Sequence, residues 1–320
     1  MKALILEKHN EPLVLREIPL PLIAEGQVLI QIVASAVNPL DVKIRAGKSG
    51  YAGQHPPAVL GLDMAGIVVE DGNGFKAGDE VYGMVGGGAG IQGTLAEYAA
   101  VDADLLALKP VNLSMREAAA LPVTVITAWE GLVSRAHIHA GQQVLIHGGA
   151  AGVGYIATQI ALVYGAVVSA TGSPEQKAVI EANGATFIDY TNPPPLMEYD
   201  IVMDNVGGTT LDASFAAVKE YTGHVVSAQG WGNHVLAPLS FRNATYSGIF
   251  VLRPLISGKG RARYGEILRE TTKLAEAGLL KPRLDPRSFT LENTNDAYAA
   301  IENRTAKGKL VVNLPLFSTL

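Results

Sequence analysis

The chain has no cysteine among its 320 residues, so it can build neither a disulfide framework nor a thiolate metal site. Long apolar runs are missing too. The longest near-continuous stretch, residues 118–129, contains Pro122 and falls short of the roughly 18 residues that suggest a membrane span. Basic residues are not in excess: 25 Lys and Arg stand against 30 Asp and Glu, a net charge of −5. No basic stripe supplies the clustered positive charge that phosphate backbones require. The opening Met1-Lys2-Ala3-Leu4-Ile5-Leu6 runs straight into Glu7-Lys8-His9-Asn10, without the longer apolar core and small-residue cleavage site of a secretory leader. These absences lead to the expectation of a soluble, cytoplasmic protein with no nucleic-acid or membrane partner.

The composition that remains is that of a globular protein, 48% apolar and 17% charged, and its length favours two domains. Before Ser114 the texture is one of short strands, at 1–6, 13–18 and 27–34, separated by Pro, Gly, Asn and Glu. Residues 82–93 hold six glycines and read as a loop. Ser114-Met115-Arg116-Glu117 has the spacing of a capping box that opens a helix through the Ala-rich stretch after it. From there strands and helices alternate: a strand at 143–147, a helix at 152–164, a strand at 166–171, and a helix opened by Ser173-Pro174-Glu175-Gln176. Further strands follow at 186–188, 201–204 and 224–228, helices at 265–277 and 294–303, and a last strand at 309–314. Such alternation argues for an α/β fold with a Rossmann-type, doubly wound parallel sheet.

The strand at 143–147 runs into His147-Gly148-Gly149-Ala150-Ala151-Gly152-Val153-Gly154. Glycines here let the chain turn sharply, let backbone approach a pyrophosphate and let the helix pack on the sheet. The helix start then offers N–H groups and a positive dipole end to phosphate. Gly149, Ala151, Gly152, Val153 and Gly154 are therefore candidate cofactor contacts. About 20 residues on, an acidic side chain would bind the ribose of NAD, but the chain has Thr171-Gly172-Ser173 there. Ser173 can donate to a 2′-phosphate and Lys177 is near enough in sequence to neutralise it, which favours NADPH. Ser173 is also a good N-cap.

Several further motifs are recognisable: Val37-Asn38-Pro39-Leu40-Asp41-Val42-Lys43-Ile44-Arg45-Ala46-Gly47, Val59-Leu60-Gly61-Leu62-Asp63-Met64-Ala65-Gly66, and Lys76-Ala77-Gly78-Asp79-Glu80-Val81-Tyr82-Gly83. Gly93-Thr94-Leu95-Ala96-Glu97-Tyr98, Leu121-Pro122 with Thr127-Ala128-Trp129, Asp204-Asn205-Val206-Gly207-Gly208 and Gly308-Lys309-Leu310-Val311-Val312 complete the set. Together with the glycine turn they make the chain resemble the medium-chain dehydrogenase/reductase superfamily, in its zinc-free quinone oxidoreductase (ζ-crystallin-like) and enone reductase branch. The resemblance implies a GroES-like β-barrel catalytic domain at 1–116 and 265–320, a Rossmann dinucleotide-binding domain at 117–264, an active site in the cleft and a homodimer. It also implies that Thr127 lies beside the nicotinamide, that Thr171, Ser173, Tyr190 and Val206 help bind the cofactor, and that Asn38, Lys43 and Arg304 reach it from the catalytic domain.

Zinc-dependent relatives place a cysteine within the segment occupied here by Asn38–Asp41 and a Gly-His-Glu where this chain has Gly61-Leu62-Asp63. The His137 and His139 pair sits in a turn and reads as solvated. The resemblance therefore points to no metal. Without a Lewis acid to hold an alkoxide, hydride transfer suits a quinone or α,β-unsaturated carbonyl, whose negative charge spreads into an enolate or hydroquinone anion that a few donors can stabilise. Asn38, Lys43 and Tyr51 are the candidate catalytic donors. Asp41 and Asp63 form a carboxylate pair expected to make structural hydrogen bonds. A zinc-independent alcohol or aldehyde reductase and a non-catalytic, crystallin-like NADPH binder are the alternatives.

Overall fold

Strands β1 (Lys2–Leu6), β2 (Val14–Glu17) and β3 (Gln27–Val37) lead into helix α1 (Pro39–Arg45), and β4 (Ala58–Val59), β5 (Asp63–Val68), β6 (Glu80–Met84), β7 (Tyr98–Asp102) and β8 (Leu106–Leu108) follow. Helices α2 (Met115–Ala119) and α3 (Pro122–Trp129) precede an alternating run of β9 (Gln143–Ile146), α4 (Gly152–Val163), β10 (Val167–Gly172), α5 (Lys177–Ala182) and β11 (Thr186–Asp189). That run continues with β12 (Ile201–Asp204), α6 (Thr209–Ser214), β13 (His224–Ser227), α7 (Ala237–Phe241) and β14 (Thr245–Gly248). The last elements are α8 (Arg253–Ser257), α9 (Arg261–Glu276), α10 (Thr294–Glu302) and β15 (Leu310–Asn313). The computed structural model describes residues 1–192 and 198–315, and the chain divides into two units, Met1–Val123 with Leu252–Leu320, and Thr124–Val251.

In the first unit an antiparallel sheet has the order β15-β3-β5-β6-β8, with β7 also paired to β3. The 11-residue β3 can serve three partners because β7 pairs with its first half and β15 with its second, while β5 takes the other edge. A register shift between Ile32 and Ala34 supplies the local bend that lets such a sheet curl. β1, β2 and β4 make a small separate sheet. The stretch expected to be a loop from residue 82 differs, since Tyr82, Gly83 and Met84 belong to β6. The reason is packing rather than propensity: a Cβ on Gly83 would lie 2.6 Å from the Leu105 carbonyl oxygen, so glycine permits β8 and β6 to close up. Tyr82 is fully buried, and its hydroxyl donates to the Leu268 carbonyl on α9 at 2.7 Å.

The capping box forms as expected: Ser114 N–H donates to Glu117 Oε2 at 2.9 Å, and Glu117 N–H donates to Ser114 Oγ at 3.3 Å. The helix it opens stops at Ala119. Pro122 has no N–H to continue the ladder and instead starts α3.

The second unit is a six-stranded parallel sheet in the order β11-β10-β9-β12-β13-β14. The order reverses between β9 and β12, and in doubly wound sheets ligands bind outside the carboxyl ends of the strands at such a reversal. Leu145, Val202 and Val225 on the strands, Leu211 and Leu239 on the helices and Phe215 at the end of α6 form one buried cluster that fixes α6 and α7 against the sheet. The expected fold class is therefore found.

Tyr82→Phe should test how firmly α9 is tied to the sheet. It leaves the buried Leu268 carbonyl without its hydroxyl donor, so an expected loss of about 1–2 kcal/mol should appear in denaturant unfolding with an unchanged m-value.

Candidate active site

In the second unit the residues expected to meet a cofactor gather at the carboxyl ends of four adjacent strands. β9 leads into the glycine turn, β10 ends at Thr171-Gly172 before Ser173, β11 ends just before Tyr190, and β12 ends two residues before Val206. Gly148 turns with φ +73°, a conformation that a side chain would resist. A Cβ on Gly154 would stand 2.2 Å from the Gly148 carbonyl oxygen, and one on Gly149 would stand 2.5 Å from Ala170 Cβ. Only glycine lets the turn fold this tightly onto β10. The N-cap of α4 is Ala151, which has no side chain to cap the helix, so the first-turn N–H groups have no local acceptor of their own.

Thr171 contributes to the turn itself. Its hydroxyl oxygen accepts from Gly148 N–H at 3.2 Å and lies 3.2 Å from His147 Nδ1, and burial holds the His147 imidazole below its ordinary pKa. Asp204 shapes the loop after β12. Its Oδ1 accepts from the N–H groups of Val206 at 3.0 Å and Gly207 at 2.9 Å, while its Oδ2 accepts from Ser227 Oγ at 2.7 Å. Asn205 donates to the His147 carbonyl at 3.1 Å, and its buried Oδ1 has no partner among the described residues. Bare helix N–H groups, a turn with no room for side chains and a buried unsatisfied acceptor beside it fit the pyrophosphate and ribose of a dinucleotide.

The end of β10, where the adenosine of a cofactor was expected, is less cationic than the sequence suggested. Ser173 N–H donates to Gln176 Oε1 at 3.0 Å. The Ser173 hydroxyl hydrogen bonds to the exposed Glu175 carboxylate and holds it below its usual range. Lys177 lies 3.8 Å from Glu181 on its own helix. Thr127 is buried on α3, and Tyr190 and Val206 are exposed.

In the first unit Asn38 is the N-cap of α1, which carries Lys43. Tyr51 is 71% exposed on the one-turn 3₁₀ helix Gly50–Ala52. Arg304 follows α10 on the surface, with φ +55°. Asn38 does not face solvent. Its Nδ2 donates to Asp63 Oδ2 at 3.0 Å, and its Oδ1 accepts from Lys309 Nζ at 2.5 Å, so both ends of the amide are engaged inside the protein. Lys309 also lies 3.5 Å from Asp63 Oδ2. Asp63 Oδ1 accepts from Val123 N–H at 2.9 Å, and Asp41 Oδ2 accepts from Asn38 N–H at 2.7 Å.

Asp41 and Asp63 do make the structural hydrogen bonds expected of them. Sequence reasoning missed Lys309, which lies 271 residues from its partner Asn38. The available signal was a lysine set directly before the apolar strand Leu310-Val311-Val312.

Burial dominates the electrostatics of this cluster. It raises the Asp41 carboxyl to about 7 and that of Asp63 to about 6, with Lys309 opposing both shifts, and it lowers the Lys309 ammonium. Asp41 Oδ1 and the Tyr298 hydroxyl are buried with no hydrogen-bond partner among the described residues. Burial also raises Tyr298, and the nearby Asp41 adds to that shift. The donor set suits zinc poorly. An amide, two carboxylates and an ammonium offer no imidazole or thiolate, and the ammonium repels a cation.

The family model described as alcohol dehydrogenase GroES-like domain matches residues 24–111, and that described as zinc-binding dehydrogenase matches residues 183–312. The 2-methylene-furan-3-one reductase of Solanum lycopersicum is 39% identical over 310 residues, covering 92% of this chain and 74% of the relative. The chloroplastic NADPH-dependent alkenal/one oxidoreductase of Arabidopsis thaliana is 38% identical, covering 98% and 79%. Among solved structures, an alcohol dehydrogenase superfamily protein from Novosphingobium aromaticivorans superposes with a TM-score of 0.95 at 49% identity, covering 98% of this chain and 100% of that one. The quinone oxidoreductase from Thermus thermophilus, solved also in complex with NADPH, has a TM-score of 0.81 at 29% identity, covering 98% and 100%.

The raised carboxyls give stability a definite pH dependence. Between the unfolded value of 3.8 and the folded values of about 6 and 7, the folded chain binds more protons, so stability falls as pH rises through this window and then levels off. Asp41→Asn keeps an acceptor for Asn38 N–H and removes one buried charge. Denaturant unfolding at pH 4 and pH 8 should show the variant gaining on its parent as pH rises; an unchanged difference would rule out Asp41 as a source of the slope.

Proposed function

The chain belongs to the medium-chain dehydrogenase/reductase superfamily, and on that premise we propose that it is an NADPH-dependent, zinc-independent oxidoreductase acting on quinones or α,β-unsaturated carbonyls. The carrying observation is the buried set Asn38, Asp41, Asp63 and Lys309, in which an internal ammonium bonds to an amide and faces a carboxylate from the two segments where zinc-dependent relatives keep metal ligands. The names of the tomato and Arabidopsis relatives support an enone acceptor and NADPH. The name of the Thermus structure supports a quinone acceptor and the same cofactor.

NADPH, when bound, supplies the hydride. The α4 N-terminus with Gly149, Ala151, Gly152, Val153 and Gly154 would hold its pyrophosphate, and Thr127 would border the nicotinamide. Thr171, Ser173, Lys177, Tyr190, Val206 and Arg304 complete the cofactor contacts in this reading. Lys43 and Tyr51 donate hydrogen bonds to the acceptor oxygen as negative charge develops there, and the carbanionic carbon or the second oxygen is then protonated. In this reading the chain is cytoplasmic and, on the family likeness, a homodimer. No helix among the described residues is long and apolar enough to cross a membrane.

Loss of nicotinamide absorbance should be followed with quinones, enones and saturated ketones, with and without a chelator. Oxidation by conjugated acceptors that a chelator leaves unchanged is expected. Chelator-sensitive turnover, or turnover of saturated ketones alone, would sink the proposal, and tight NADPH binding without turnover would make the chain a binder. Lys43→Ala should lower kcat by about 100–1,000-fold. The Glu175 carboxylate beside Ser173 opposes a 2′-phosphate, so Glu175→Gln should tighten NADPH binding several-fold and leave NADH nearly unchanged, as read by nicotinamide fluorescence. Equal shifts for the two cofactors would place Glu175 away from the 2′-phosphate.

A further inference from the structure

The Lys309 ammonium contacts Asn38 and Asp63, and the residue sits at a junction. It immediately precedes β15, and the first pair of the β15–β3 ladder, Leu310 opposite Val37, leaves it facing Asn38. Its backbone is clamped on the other side: its N–H donates to the Arg283 carbonyl at 2.8 Å, and its carbonyl accepts from Asp285 N–H at 2.9 Å. The side chain is 8% exposed and Asp63 is fully buried. Its ammonium has only one strongly opposed charge within 4 Å among the described residues, that of Asp63, and one short bond, to Asn38 Oδ1.

These charges decide how the Asn38 amide is turned. With Oδ1 toward the ammonium and Nδ2 toward the carboxylate, both contacts are attractive; a flipped amide would set N–H against ammonium and oxygen against carboxylate. Asn38 is the extended N-cap of α1, and its N–H bonds to Asp41 at the third helical position. Holding its side chain therefore fixes the direction in which α1 leaves β3. Lys43 follows five residues on, in the same seven-residue helix. Asp63 carries the constraint to a second helix. Its other oxygen accepts from Val123 N–H in the first turn of α3, and Thr127 lies four residues further along that helix, on the same face. Thr94 Oγ1 donates to the Asp63 carbonyl at 3.1 Å and lies 2.7 Å from Ser35 Oγ, which pins Asp63 from behind.

We propose that Lys309 is a positioning residue for the reductase reaction, setting through Asn38 and Asp63 the starts of the two helices that carry Lys43 and Thr127. The proposal rests on the function proposed above. Positioning of this kind carries large kinetic weight, since a misplacement of about 1 Å can cost on the order of 100-fold in rate.

Lys309→Met, Asp63→Asn and the double variant test it. Lys309→Met alone strands the Asp63 charge in the interior and is expected to melt early. The double variant replaces both charges by neutral groups of similar size, keeps an acceptor for Val123 N–H, and should melt close to its parent. It is expected to bind NADPH within about twofold of the parent by nicotinamide fluorescence, yet to show kcat lowered tenfold or more. Amide hydrogens in segments 38–47 and 122–130 should exchange faster, with the parallel sheet unchanged. A purely structural lysine predicts that activity returns with the melting temperature, so a double variant with parental melting and parental kcat would overturn the proposal. If the parent enzyme turns over no quinone or enone, the functional reading fails by itself. Hydrogen exchange then decides the role of Lys309, and unchanged protection of both segments would overturn it.

Discussion

The contact of a buried ammonium with an amide and a carboxylate, Lys309 with Asn38 and Asp63, organises the first unit. A lone charge in a protein interior is costly, and a pair holds together only when its remaining hydrogen bonds are met. Bonds from five elements meet here: Lys309 directly precedes β15, Asn38 directly follows β3 and gives its N–H to Asp41 of α1, Asp63 begins β5, and α3 offers the Val123 N–H. None of these elements could shift without leaving a buried polar group unpaired. The two carboxyls still carry burial as their largest influence, so the cluster orders its surroundings more than it stabilises them. Polar networks that specify an arrangement at some cost in stability are known in other proteins.

The second unit follows a different logic, in which shape and dipole matter more than charge. Four strands deliver their carboxyl ends to one edge, and the turn after β9 is tight enough that side chains at Gly149 and Gly154 would strike Ala170 and Gly148. The acidic Asp204 is spent on bonding the loop after β12 and Ser227. Its charge is thereby absorbed by backbone N–H groups close to where anionic phosphates would sit. Phosphate binding at such an edge depends on backbone, and this explains why the lack of arginine or lysine in the turn is no obstacle.

Local patterns were the legible part of the sequence. Alternation of strand and helix beyond Ser114, the glycine turn and the Ser114–Glu117 capping box each depend on neighbours within a few residues, and each is found in the structure. Contacts between distant residues were not legible. Tyr82-Gly83-Met84 looks like loop by composition and is a strand because β8 and α9 pack on it. The helix from Ser114 looks continuous through its alanines and is cut at Ala119. In the candidate site, Ser173 could be read as a phosphate donor or as a cap; its bond to Gln176 follows the cap spacing, and only the structure brings Glu175 to it. Lys309 stood in plain view within Gly308-Lys309-Leu310, and a run of apolar residues beside it gave no hint that its partner lay at the other end of the chain.

A fixed ammonium and a bound metal ion differ in what they can do for a substrate. A metal keeps an open position and accepts an oxygen directly, which is how it holds an alkoxide. The Lys309 ammonium has no empty orbital to offer a lone pair, and its short bond already goes to Asn38. It can orient neighbours but cannot polarise a carbonyl as a Lewis acid. On the proposed function, the charge created by hydride addition must then be carried by the substrate's own conjugation and by a few hydrogen-bond donors. On that reading, the lysine gives the helices their bearing and leaves the reaction to acceptors able to delocalise a negative charge.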